Sequence, residues 1–276
     1  MQLSPHDLHW ARRRLPDALA ELMKKHGSKL VIGGGYIRAC AGQEPISDID
    51  CFTKSQKDAH RMAYELAGLP EEWFALLDKD ESTLSKDVKP VLRDIKRRVY
   101  ETDNAFTVKG LKLPVQFIHR WTFPNPTSIM ESFDFTVAKA VFWYQPDNVK
   151  KGEGTWMSLC DEAFYPDLAG KRLVYCSPVR EEEPGGSLLR VLKFYQKGYR
   201  IPLDSFGRVI GRLLSGIEQV NFDKRSSMSK EKWEAQMGLL ITGLLREVDP
   251  AIDPDHISHL PSPAEMEKQA ATGEKP

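Results

Sequence analysis

The chain has 276 residues, enough to bury one large core or two modest ones. Lysine plus arginine equal aspartate plus glutamate, 39 against 39, so there is no global field to gather nucleic acid and a polyanion has to be held by a local patch. The composition, 41% hydrophobic and 28% charged, is that of an ordinary soluble protein, and the absence of an apolar leader or of any run near about 18 apolar residues argues against secretion and membrane insertion.

The four cysteines, Cys40, Cys51, Cys160 and Cys176, form no CxxC pair, which predicts a reduced, cytoplasmic protein. Along the chain, residues 5–26 show helical spacing through Leu15, Leu19 and Leu22, with Pro5 in the first turn and Gly27 as the stop. "KLVIGG" is a short buried strand, and "YIRACAG" is one or two helical turns ended by Pro45. "ISDIDCFT" alternates, so Ile49 and Cys51 face one side while Asp48 and Asp50 face the other. Residues 55–68 are helical, and residues 70–96 are mixed and charged. "RRVYETDNAFTV" and "LPVQFIHRW" predict two strands around a turn containing Gly110. "PTSIMESFDFTVAKAVFWY" has helical spacing at Ile129, Phe133, Val137 and Val141, with Thr127 or Ser128 as cap, although its β-branched and aromatic end also suits a strand.

A break rich in proline, glycine and acid, "SPVREEEPGG", precedes "SLLRVLKFYQKGYRI", an amphipathic helix ended at Gly198. Two more helices are expected at 204–220 and 229–247, and the proline-rich tail is expected to be flexible. The expected organisation is an α/β domain over 1–176 with a small mixed sheet, a mainly α-helical part over 177–248, and a tail over 249–276.

The chemistry concentrates in "LVIGGGYIRACAGQEPISDIDCF", residues 30–52. Carboxylates at i and i+2 on a strand share a face, and their repulsion is relieved by a divalent cation between them. Magnesium suits such a pair because it takes a few carboxylate oxygens and completes its shell with phosphates. Glycine backbone at Gly34 and Gly35 lets a triphosphate approach closely. A plain strand–turn–helix with solvated aspartates is the competing account.

The order strand, Gly-Gly, short helix with an arginine, then an apolar-flanked DxD resembles the DNA polymerase β-like nucleotidyltransferase superfamily. Within it the chain looks most like the CCA-adding tRNA nucleotidyltransferase and poly(A) polymerase branch, whose pattern is GG-x-x-R-D followed by D-x-D. "GGYIRA" and "DID" stand at Gly34–Ala39 and Asp48–Asp50. "VQFIHR", "FDFTVAKAV" and "SLLRVLKFYQKGYRI" resemble three later family segments in order. There are departures as well. Ala39 replaces the aspartate after the motif arginine, and Gln116 stands where the third strand often carries a carboxylate. Ser132 and Phe133 replace two arginines before Asp134, and Pro184 and Ser187 replace the base-reading pair.

The resemblance implies transfer of a nucleoside monophosphate from an NTP to an acceptor hydroxyl with release of pyrophosphate and with Mg²⁺ (or Mn²⁺), the acceptor being first of all a tRNA-like RNA and otherwise a protein or a small molecule. It assigns Asp48 and Asp50 to metal and catalysis, with Asp134 as a candidate third carboxylate or a salt-bridge partner. Nucleotide contacts are expected from Gly34, Gly35, Arg38, Arg190 and Lys193, and Arg38 equally suits a structural clamp. The run "KDVKPVLRDIKRR" is a candidate surface for a nucleic-acid backbone or a solvated helix face. Alternatives to transfer on tRNA-like RNA are a degenerate nucleotide- or RNA-binding module and a toxin- or defence-type enzyme modifying tRNA or protein. His256 and His259 form HxxH without other metal-ligand spacing, which argues against zinc there.

Overall fold

Proline 16 divides the first predicted helix in two, because its ring removes an N–H and drives the preceding residue out of helical conformation. In the computed structural model, α1 spans Pro5–Arg13, capped by the Ser4 hydroxyl, which accepts from the Asp7 amide at 3.1 Å, and α2 spans Asp17–His26. The structure describes residues 1–77, 79–147, 153–176, 185–218 and 237–238. It divides into two units, Met1–Val179 and Arg180–Pro276.

In the first unit β1 (Leu30–Gly33) leads into α3 (Gly35–Ala41), followed by β2 (Ile49–Thr53) and α4 (Gln56–Leu66). The mixed segment 70–96 resolves into two short 3-10 turns and the start of α5 (Val88–Arg98). Three strands follow where two were expected: β3 (Val99–Glu101), β4 (Ala105–Val108) and β5 (Val115–Ile118). The extra hairpin arises at Thr102, whose amide donates to the Ala105 carbonyl at 3.0 Å while its hydroxyl accepts from the Ala105 amide at 3.1 Å.

The stretch with helical spacing at 129–141 is helical only at its start. After α6 (Pro126–Glu131), capped by Asn125 rather than Thr127 or Ser128, comes a 3-10 turn and then β6 (Ala140–Pro146). "AVFWY" is β-branched and aromatic, and strand pairing buries it. The sheet closes with β7 (Gly154–Cys160), and α7 (Phe164–Ala169) follows; neither was anticipated. The second unit contains α8 (Gly186–Gln196) and α9 (Leu203–Glu218), which pack on each other. Gly198, with φ +85°, follows the end of α8 as expected. The predicted helix at 229–247 (apart from residues 237–238), the tail and its HxxH lie outside the described residues. Among the described residues no helix is long and apolar enough to cross a membrane.

The seven strands form one mixed sheet in the order β3-β4-β5-β2-β1-β6-β7, in which only β2 and β5 run parallel. The chain is thus an α/β unit followed by helices. Strand alternation gives the sheet two unlike faces. On one face Ile32, Ile49, Cys51, Phe106, Val108, Val115, Phe117 and Phe142 are all buried, across β1, β2, β4, β5 and β6. Helix α4 packs against β2, β4 and β5 on this side, where His60 meets the Phe106 ring at 5.2 Å. On the other face, Val31, Phe52 and Val141 pack under Ile129 of α6, with Phe123 and Phe133 beside them. That apolar cover reaches only part of the face.

Helices α2 and α4 are joined by Glu65, which accepts from Lys25 Nζ at 2.6 Å and contacts His26 Nε2 at 2.8 Å. Burial alone raises the Glu65 pKa, but the bonds to Lys25 and His26 outweigh it and hold the carboxyl below its usual range. A depressed folded-state pKa means stabilisation that is full above the unfolded carboxylate value, about 4.3, and lost as pH falls through the folded value. Glu65→Gln is therefore expected to lower the urea midpoint at pH 7, with the difference from the wild type shrinking below about pH 4.

Candidate functional site

The pleat of β2 positions the acid pair. Ile49 and Cys51 are fully buried between β1 and β5, and burial pushes the Cys51 thiol well up, which keeps it neutral. Asp48 and Asp50 therefore lie on the opposite, incompletely covered face, and both are half-buried. In the parallel register, Asp50 stands beside Gln116 of β5. Gln116 Nε2 donates to Asp48 Oδ2 at 3.2 Å, and the Ser47 hydroxyl donates to Asp48 Oδ1 at 2.7 Å. The amide thus orients one carboxylate without adding charge.

The glycine turn has a packing reason of its own. Gly34 has φ +70°, a conformation unfavourable to side chains, and its amide donates to the Ala140 carbonyl at 3.0 Å. A Cβ at Gly34 would sit 3.0 Å from Phe133 Cε1, and one at Gly33 would meet Phe133 Cζ and Val141 Cγ1, each at 3.1 Å. The Phe133 ring covers the turn and meets Phe52 edge-on at 5.7 Å. At Gly35 the corresponding position is open, with nothing within 4 Å. Close backbone approach by a ligand is therefore available at Gly35, whereas the Gly34 amide is already used within the sheet. In the sequence Phe133 stands as one position of a helical spacing and in place of an arginine, and neither feature marks it as the cover of the glycine turn.

Arg38 is 5% exposed, and its Nε donates to Glu44 Oε2 at 3.1 Å. Glu44 also pairs with Lys171, and its amide donates to the Ala39 carbonyl at 2.9 Å. This network pins the loop between α3 and β2, and so sets where Asp48 stands at the entry to β2. Glu44 had no motif to reveal it. Asp134 is 3% exposed, and its carbonyl accepts from the Cys176 amide at 2.8 Å. Among the described residues, no three His, Cys, Asp or Glu side chains gather in a group that could hold a metal, so Asp134 is not assembled with Asp48 and Asp50 into a triad. Arg190 and Lys193 lie on α8 in the second unit. Pro184 is outside the described residues.

A cleft of about 770 Å³ lies next to this end of the sheet, lined by Trp10 of α1, Arg14 just after that helix, Cys40 of α3, Pro45, Ile46 and Lys112. Its lining does not include Asp48 or Asp50. The chemistry of the donor set favours the acid pair for a metal: two hard carboxylates on one face, backed by a neutral amide, suit Mg²⁺ completed by phosphates and water.

Solved structures similar to the chain include the Thermotoga maritima CCA-adding enzyme complexed with tRNA, at 16% identity and TM-score 0.44, covering 77% of this chain and 46% of that one. A CCA-adding enzyme with CTP matches at 15% identity and TM-score 0.47, covering 77% and 47% respectively. A tRNA nucleotidyltransferase with a primer tRNA and an incoming ATP analogue matches at 16% identity and TM-score 0.41, covering 68% and 47%. The chain spans less than half the length of each of these three. No curated protein matches. A family model described as Gad2, Gabija anti-defense 2 family protein, matches residues 9–171, which include all seven strands and the acid pair, and the chain belongs to that family.

Proposed function

We propose that the chain is a metal-dependent nucleotidyltransferase that moves a nucleoside monophosphate from an NTP to an acceptor hydroxyl and releases pyrophosphate. The observation that carries this reading is the acid pair, Asp48 and Asp50, held on the open face beside the glycine turn. Asp48 and Asp50 would hold Mg²⁺ or Mn²⁺, which when bound neutralises the triphosphate and polarises the α-phosphoryl group. Gly35 leaves room for the phosphates to approach the backbone. Gln116 and Ser47 fix the orientation of the Asp48 carboxylate before substrate arrives, so that little reorganisation is needed on binding. Arg38 acts through Glu44 by holding the loop that leads into Asp48.

The family description, anti-defence against Gabija, supports an acceptor belonging to a defence system, on RNA or on protein. Gln116 and the unassembled Asp134 favour a second reading, a nucleotide-binding protein without transfer. Incubation with each α-labelled NTP, Mg²⁺, RNA and candidate protein acceptors separates the two. Transfer is expected, and Asp48→Asn/Asp50→Asn is expected to lower it by at least a hundredfold without changing the circular dichroism spectrum. Label transfer that survives in the double variant would remove the acid pair from the chemistry.

Gln116→Glu tests the metal geometry. A third carboxylate beside the pair adds repulsion, so the variant is expected to melt at a lower temperature in EDTA. Added Mg²⁺ should raise its Tm by more than it raises that of the wild type. Equal Mg²⁺ shifts in the two proteins would place the ion away from Gln116.

A further inference from the structure

The acid pair belongs to a longer row of side chains whose outer end the nucleotidyl-transfer reading does not use. Register across four strands aligns Tyr100 of β3 with Thr107 of β4, Thr107 with Gln116 of β5, and Gln116 with Asp50 of β2. Directly paired residues project from the same face of a sheet, so these four side chains share the face that carries the acids. None of the four is buried, and Tyr100 is 58% exposed. At about 4.8 Å per strand, Tyr100 stands about 14 Å from Asp50 across the sheet.

The same end of the sheet carries positive charge. The Lys109 amide donates to the Arg98 carbonyl at 2.9 Å, which extends the β3–β4 pairing by one step and sets these two residues beside each other. Lys109 Nζ lies 5.1 Å from the centre of the Tyr100 ring, on that ring's side of the sheet. Arg98 runs over the β4–β5 turn, where its Cδ is 3.9 Å from the position of a Cβ on Gly110, and Lys112 is exposed in that turn. Arg98 pairs with Asp94 at 3.0 Å, but both side chains are well exposed and such a pair yields readily to a phosphate. Of the nearby acids, Glu101 projects to the opposite face by alternation.

From this row we infer that the outer strands, β3 and β4, form a platform for single-stranded nucleic acid. A base stacks on Tyr100, phosphates are held by Lys109, Arg98 and Lys112, and the strand leads across Thr107 toward Asp50. An exposed ring on an open sheet face with cations beside it is the combination that single strands require: stacking tolerates any base, and the charges follow the backbone. An acidic protein surface would use the cations but would leave the aromatic ring unexplained. The inference rests on the nucleotidyltransferase reading only in making the bound strand the acceptor; the binding itself stands apart from it.

The test is fluorescence anisotropy with labelled 12-nucleotide RNA and DNA single strands, the corresponding duplexes and a poly-glutamate peptide. Mg²⁺–NTP binding is followed in parallel by calorimetry. Single strands are expected to bind more tightly than duplexes or peptide, with affinity falling as salt rises. Whether RNA or DNA binds better identifies the strand. Tyr100→Ala is expected to weaken single-strand binding at least fivefold, and Arg98→Glu/Lys109→Glu at least tenfold. Tyr100→Phe should stay within twofold of the wild type. All these variants should leave NTP binding unchanged, because they lie outside the acid pair. Asp48→Asn/Asp50→Asn should keep single-strand binding, so a protein that fails to bind or transfer NTP can still support the platform. Single-strand affinity unaffected by Tyr100→Ala and by the charge reversals would overturn it. So would tighter binding of the acidic peptide that is lost in the same variants.

Discussion

Strand β2 lies in the middle of the sheet with its pleat constrained on both sides, and the candidate site follows from that constraint. Its inward residues, Ile49 and Cys51, are completely buried between β1 and β5. A shift of one residue in register would drive Asp48 and Asp50 into that core, at a cost of several kcal/mol per unpaired charge. The hydrophobic side therefore dictates where the charges emerge. The parallel pairing with β5 then dictates their neighbour: Gln116 is the residue that the register delivers, and its amide reaches Asp48.

The glycine turn shows how packing and ligand access divide a short motif between them. Gly33 and Gly34 are small because Phe133 and Val141 lie against them, and Gly34 adds a positive φ that few residues tolerate. Only Gly35 faces open space. Two glycines thus satisfy the core and the third leaves room beside the acids. Arg38 follows the same economy: buried and bonded to Glu44, it steadies the loop into β2. That loop and the turn converge on the end of the sheet where Asp48 emerges.

Much of this was legible in the sequence because its signals are local. The alternation in "ISDIDCFT" reports directly which residues face inward, and "LVIGGGYIRA" carries both the strand and the turn. Other features depend on contacts distant in sequence. Helical spacing through Val137 and Val141 pointed to a continuing helix, but pairing with β1 and β7 draws residues 140–146 into the sheet, where tertiary burial outweighs a weak periodic signal. The β3–β4 hairpin was concealed because Thr102, and not a glycine, closes its turn. Phe133 over the glycines and Glu44 between Arg38 and Lys171 join segments far apart in the chain, and no spacing rule connects them. The row from Tyr100 to Asp50 is likewise invisible until the strand order is known.

The proposed role of the open face at Asp48 and Asp50 is to receive a metal-bound nucleotide. It is tested most directly by a crystal structure with Mn²⁺ and a non-hydrolysable NTP, with the ion located by its anomalous signal. One or two anomalous peaks are expected at coordinating distance from the carboxylates of both Asp48 and Asp50, with the triphosphate beside Gly35. A nucleotide bound with its phosphates in the cleft between α1 and α3, and no ion at either aspartate, would contradict it.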